Sequence, residues 1–202
     1  MYDECGQKAY AMVQGSAFSC EAIYPSFNAS RCIDEIKAFK ENIVKEKPDF
    51  GFMFSRFMSI GDPLDGNDTD IINDEIYKIM KANLDFYVKN IRKTLYILDA
   101  IPRVKRLSTR IIASKLRDGV FQKIIVDQYG WKLARKRYEQ LFKDCGPKCV
   151  RIDYLPIFWN NSTQNVRYFD ENGLEYQNGV NHLSPRGLEK IRHIYTEICN
   201  KL

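Results

Sequence analysis

Short apolar runs that alternate with long stretches of helical periodicity are what most limit the fold of this chain. The runs at 50–54, 94–98 and 150–154 read as strands, and Phe50-Gly-Phe-Met-Phe54 is apolar enough to be buried on both faces of a sheet. Helical patterns lie between them. Ser30 can cap a helix with Ile33, Ile36, Phe39, Ile43 and Val44 on one face, ended by Pro48. Ile72, Ile76, Ile79, Met80, Leu84, Tyr87, Val88 and Ile91 mark a second, longer one. Two more helices are expected over 107–116 and 120–142, the latter with Trp131, Ala134, Tyr138, Leu141 and Phe142 facing one way. A short helix over 6–14 and a strand over 16–24, stopped by Pro25, complete the expected order. Four strands alternating with helices argue for a parallel sheet covered on both faces, an α/β sandwich.

A length of 202 residues suits one domain, and 45% hydrophobic content is enough for a sizeable core. The net charge of +5 is mild. Basic residues gather at Arg103, Lys105 and Arg106, and again from Lys132 to Arg137. Each group is interleaved with apolar residues at helical spacing, which marks a solvated helix face; no nucleic-acid partner is expected. There is no Gly-rich phosphate loop and no run of about 18 apolar residues to span a membrane. The opening Met1-Tyr-Asp-Glu-Cys5 is polar and carries no signal-peptide pattern.

The six cysteines allow fifteen pairings. No CxxC pair repeats, and only two histidines could help, so neither a metal nor another cofactor is expected. Glycosylation acceptors occur at Asn28, Asn67, Asn160 and Asn161, each followed by the required Ser or Thr. Together with an even cysteine count they favour an oxidising lumen or the cell exterior. A domain of that kind without a targeting segment is expected to be part of a longer chain. The short loop between Cys145 and Cys149 favours that pair, Cys20 with Cys32 is the next choice, and Cys5 with Cys199 remains.

One histidine stands out. In Asn181-His182-Leu183-Ser184-Pro185, Ser184 is a good N-cap, Pro185 suits the first helical position and Leu183 can staple onto Leu188. Leu188, Ile191, Ile194, Tyr195 and Ile198 then recur at helical spacing, so His182 is presented at the mouth of the last helix. Two other places are site candidates by position, because α/β sheets bind ligands beyond the carboxyl ends of their strands. Ser55 and Arg56 follow the first apolar run, and Asp99 follows the second, where capping the next turn is its simplest role.

Three ordered segments carry a family resemblance: Lys47 to Pro63, Arg92 to Arg103 and Asn181 to Arg192. Together they resemble the luminal SGNH domain attached to membrane acyltransferases of the acyltransferase-three superfamily, the nematode-type members in particular. The resemblance implies a flavodoxin-like three-layer α/β/α sandwich over residues 1–202 as a single domain, the C-terminal portion of a larger membrane protein. It implies a luminal or extracellular place. It also implies transfer of an acyl group, delivered by the membrane domain, to a hydroxyl of a carbohydrate or other extracellular acceptor. A serine attacks the acyl carbonyl, a histidine takes its proton, and donors hold the oxyanion. By position, His182 corresponds to the base, and Ser55 and Arg56 to the oxyanion or substrate-binding block.

Two departures stand against this pattern. The family's aspartate three residues before the histidine is replaced by Gly179, which leaves a dyad, or a carboxylate such as Asp170 or Glu175 folding back. The Gly-Asp/Asn-Ser element is also absent from the 202 residues, and with it the first, central strand of the sheet. The chain by itself is therefore expected to be inactive. The alternative is a non-catalytic luminal domain that binds a glycan or a protein partner.

Overall fold

A computed structural model of the chain describes residues 2–55, 57, 59–63, 70–104, 114, 117–118, 126–127, 130–178 and 182–202. The elements are, in order, α1 (Tyr2–Cys5), α2 (Ser30–Glu46), β1 (Phe50–Met53), α3 (Glu75–Asn90), β2 (Thr94–Leu98), β3 (Arg103–Val104) and β4 (Val126–Asp127). They continue with α4 (Trp131–Cys145), β5 (Cys149–Ile152), α5 (Leu155–Phe158), β6 (Trp159–Asn160), β7 (Asn165–Val166), β8 (Gln177–Asn178), β9 (His182–Leu183) and α6 (Pro185–Cys199). Two compact units result. One is Gly15–Ile101 with Tyr129–Asp153; the other is Met1–Gln14, Pro102–Gln128 and Tyr154–Leu202.

The first unit is built on a three-stranded parallel sheet in the order β1-β2-β5. Phe50 pairs with Thr94, and Leu95 with Cys149. Helices flank this sheet, so the mixed α/β, flavodoxin-like class is the one observed. β2 is the middle strand, and Leu95, Tyr96 and Ile97 are all buried. β1 departs from the expected burial on both faces: Phe50, Gly51 and Phe52 are only half-buried and Phe54 is 47% exposed. The reason is position, because among the described residues no strand pairs with the other edge of β1.

The strand expected over 16–24 is not formed. Its backbone is satisfied differently: Tyr87 Oη donates to Ala22 O at 2.8 Å and Asn83 Nδ2 to Ile23 O at 2.9 Å. Side chains of α3 thus take the place of a ladder. They also set the rotation of α3, which buries Tyr77, Met80, Asn83, Leu84 and Tyr87 and leaves Ile79 outside. In α2 only Cys32 and Ile36 are buried, while Ile33 and Val44 face solvent. α4 begins at Trp131 rather than near 120 and turns Trp131, Ala134, Tyr138 and Leu141 inward as expected. Its basic run is a solvated face only in part: Lys132 and Lys136 are exposed, but Arg137 is fully buried and Arg135 is paired inside the unit. Of the helix expected over 107–116, only Ser114 lies within the described residues. Arg103, expected on a helix face, belongs to a short antiparallel pair with Asp127, and Lys105 and Arg106 lie outside the described residues.

The second unit joins α1 to α6 through a Cys5–Cys199 disulfide and an Arg192 to Glu4 ion pair at 2.6 Å. The helix expected over 6–14 is not formed; α1 ends at Cys5 before it, and Tyr10, Met12 and Val13 are exposed. A helix that short gains stability only from packing, and these residues have no apolar surface to pack on. The polar stretch folds into antiparallel pairs, β6 with β7 and β8 with β9. Between them Asn172-Gly173 makes the expected turn, with Gly173 at φ 79° and its N–H on Asp170 O at 3.1 Å.

Candidate functional site

His182 opens β9, paired with Asn178, and its side chain is exposed. The backbone on its C-terminal side is fixed tightly. Ser184 Oγ accepts the Gly187 N–H at 3.1 Å and donates to Glu175 O at 2.6 Å, while the Ser184 N–H donates to Tyr176 O at 2.9 Å. Ser184 is therefore the N-cap the sequence implies, with Pro185 at the first helical position. Gly187 is where α6 meets the backbone of Tyr176: a Cβ there would stand 2.1 Å from Tyr176 O. Leu183 packs against this glycine, and Leu188, the expected staple partner, is 53% exposed.

Neither Asp170 nor Glu175, the carboxylates considered for folding back, bonds to the His182 ring. Asp170 is committed to its own turn, accepting N–H groups of Asn172 at 2.9 Å and Leu174 at 2.8 Å and pairing with Arg186 at 2.5 Å. Burial works to raise the Asp170 carboxyl, but these N–H groups and Arg186 outweigh it and hold it below the ordinary aspartate range. Glu175 contributes its carbonyl to Ser184. Among the described residues no carboxylate bonds to the His182 ring, and Gly179 lies outside them.

Ser55 sits two residues past β1 and is buried; Arg56 lies outside the described residues. The backbone just beyond is held by two enclosed charges that sequence reasoning missed. Glu21, 0% exposed, accepts from the Ser59 N–H at 2.9 Å, the Ile60 N–H at 3.3 Å and Ser26 Oγ at 2.8 Å. Arg137, also 0% exposed, donates to Ile60 O at 2.5 Å and Asp62 O at 2.7 Å and pairs with Asp74. Asp74 in turn caps α3 through the Ile76 N–H at 3.0 Å. A signal for Arg137 was present: positions 134, 137, 138 and 141 form one helical stripe, so a charge at 137 belongs to the core face. Glu21 stands alone among apolar neighbours from Ala22 to Tyr24, which is the same kind of signal.

Asp99, at the carboxyl end of β2, does more than cap. Its Oδ1 accepts the Ala100 N–H at 2.7 Å, and its Oδ2 lies 3.3 Å from Arg135 Nη2 and 3.4 Å from Arg151 Nε. Burial pushes its carboxyl up to about 6, opposed by the two guanidinium groups. Arg135 also grips Asp153 with both of its terminal nitrogens, at 3.0 and 2.6 Å. The disulfides are Cys5–Cys199, Cys20–Cys32 and Cys145–Cys149. Of the glycosylation candidates, Asn161 is exposed in the β6–β7 turn, whereas Asn160 Oδ1 accepts the N–H groups of Ser162 and Thr163. Asn28 lies in the short turn Ser26–Asn28, and Asn67 is outside the described residues.

Comparison with known families settles the assignment. A family model described as an SGNH domain fused to AT3 domains matches residues 1–197. The chain belongs to this family. No curated protein matches it. Membership ties this SGNH domain to acyl transfer, and its parallel α/β sheet agrees with the class implied by the resemblance. Ser55 belongs to the sheet-bearing unit and His182 to the other. Among the described residues, no helix is long and apolar enough to cross a membrane.

Proposed function

We propose that this chain is the luminal or extracellular SGNH domain of a membrane O-acyltransferase of the nematode type, folded as one domain over 1–202. It would pass an acyl group, delivered by its membrane domain, to a hydroxyl of a carbohydrate or other extracellular acceptor. The observation that carries this reading is the family match over 1–197, to domains fused to AT3 domains. Three disulfides and the exposed Asn161 acceptor support an oxidising compartment.

In this reading His182 is the general base. It takes the proton of a serine hydroxyl as that oxygen attacks the acyl carbonyl, and returns it to the departing group. Ser55 and Arg56 stabilise the oxyanion, each donor contributing roughly 3 kcal/mol. The serine itself comes from a parallel strand outside these 202 residues that joins the open edge of β1. The half-exposed Phe50 and Phe52 of that edge support such an addition, since an apolar edge strand is ordinarily covered.

The test is hydrolysis of p-nitrophenyl acetate by the full-length membrane protein. His182→Ala is expected to lower turnover by roughly a thousandfold or more; unchanged turnover rules His182 out as the base. The 202-residue chain alone is expected to show no turnover above that variant. A second reading, glycan or partner binding without turnover, is favoured by one observation, the lack of a carboxylate on the His182 ring among the described residues. Saturable oligosaccharide binding by a full-length protein that hydrolyses nothing would decide for it.

A further inference from the structure

We propose that Glu21 and Arg137 are positioning residues for the loop after β1, fixing Ser55 where the sheet presents it to substrate. The inference rests on Ser55 acting in oxyanion or substrate binding, and it adds two residues to that site.

Loops are seldom buried, because their backbone N–H and C=O groups need partners that water usually supplies. Here Ser55, Phe57, Ser59 and Ile60, among the described residues of the loop, are all enclosed. Its polar groups are met by opposite charges instead. The Glu21 carboxylate takes the N–H groups of Ser59 and Ile60, and the Arg137 guanidinium takes the carbonyls of Ile60 and Asp62. Ile60 is thus held at both backbone groups, by an anion on one and a cation on the other. Gly61 supplies a third anchor, where a Cβ would stand 2.9 Å from Gly130 O, so two backbones touch.

Enclosing two full charges is a poor way to gain stability, since well-packed apolar residues of similar size commonly do as well or better. What charges provide is a single geometry. A carboxylate and a guanidinium, each with several directed hydrogen bonds, define one path for the backbone and penalise the others. The held residues, Ser59 to Asp62, follow within ten residues of the carboxyl end of β1, and α/β sheets bind ligands beyond such ends. Placement of a donor in a site is worth much: a shift of about 1 Å can cost a hundredfold in rate.

The experiment is a double-mutant cycle in the full-length membrane protein, with p-nitrophenyl acetate as the probe and wild-type turnover as the reference. Glu21→Gln and Ser55→Ala are each expected to lower kcat roughly tenfold to a hundredfold, with KM within about twofold. The double variant is expected to be no slower than Ser55→Ala alone, because the effects of linked residues do not multiply. Arg137→Lys, which keeps the charge but not the planar fork, is the second probe and is expected to behave like Glu21→Gln. The inference is overturned if Ser55→Ala is slow while Glu21→Gln and Arg137→Lys turn over normally, or if the effects multiply in full. Normal turnover in Ser55→Ala instead removes the role of Ser55 and this inference with it. Failure of both Glu21→Gln and Arg137→Lys to fold overturns it too, since the pair would then serve the fold alone.

Discussion

The Asp99 carboxylate and the Arg135 guanidinium stand 3.3 Å apart at the end of the middle strand, and Asp99 is 1% exposed. Despite that cation and Arg151 beside it, burial dominates and raises the carboxyl to about 6. The folded protein therefore binds this proton more readily than the unfolded chain does. Stability from this group rises as pH falls from 7 to 5, by roughly 1 kcal/mol. Urea unfolding at the two pH values should show that gain in the wild type and lack it in Asp99→Asn.

Arg137→Met is expected to destabilise the protein by roughly 3–5 kcal/mol, because it leaves Asp74 enclosed without its cation. Chemical unfolding measures this directly. A loss below about 1 kcal/mol would mean that water reaches Asp74 in the variant.

Gly187→Ala tests the support of His182. The new methyl group would collide with Tyr176 O, so α6 must move away from the hairpin that carries the histidine. Gly146→Ala is the control: its φ of 66° strains any side chain, which is not so at the helical Gly187, but nothing lies within 4 Å of the added methyl group. Gly146→Ala is expected to cost about 1–3 kcal/mol through its backbone alone and to leave hydrogen-exchange protection at Ser184 and Leu188 intact, whereas Gly187→Ala is expected to lose that protection.

The three disulfides should differ in what they contribute. Cys5 and Cys199 are 194 residues apart and Cys145 and Cys149 only 4. Loop-closure entropy then gives up to about 5 kcal/mol for the first and about 2 kcal/mol for the second. Paired Cys→Ser variants compared by unfolding should keep that order.

A glycan should be found at Asn161 and not at Asn160. Both fit the acceptor pattern, but the Asn160 side chain is occupied in closing the β6–β7 turn. Full-length protein made in a secretory pathway, treated with a glycan-removing amidase in heavy water, should carry the mass label on Asn161 and not on Asn160.

The sequence made the sheet legible where strands are short and apolar: 94–98 is a strand over its full expected length. It misled wherever side chains replaced backbone pairing. The stretch at 16–24 has strand-like composition, yet its carbonyls are taken by Tyr87 and Asn83 from a helix more than fifty residues away. No local pattern encodes that. His182 could be placed in its setting because Ser184 and Pro185 are near neighbours with fixed preferences. For Glu21 and Arg137 the local pattern could suggest burial but not the role, because that comes from partners at separations of 38 and 77 residues.

The open flank of β1 also matters at the bench. Among the described residues no strand pairs with that edge, and an unpaired edge beside Phe50 and Phe52 is a template for a second strand, including the same segment of another molecule. Fragments of this protein handled at high concentration will tend to self-associate and precipitate through 50–53. A charged residue at Phe52 would discourage it, at the expense of the ring stack with Tyr96 at 4.8 Å.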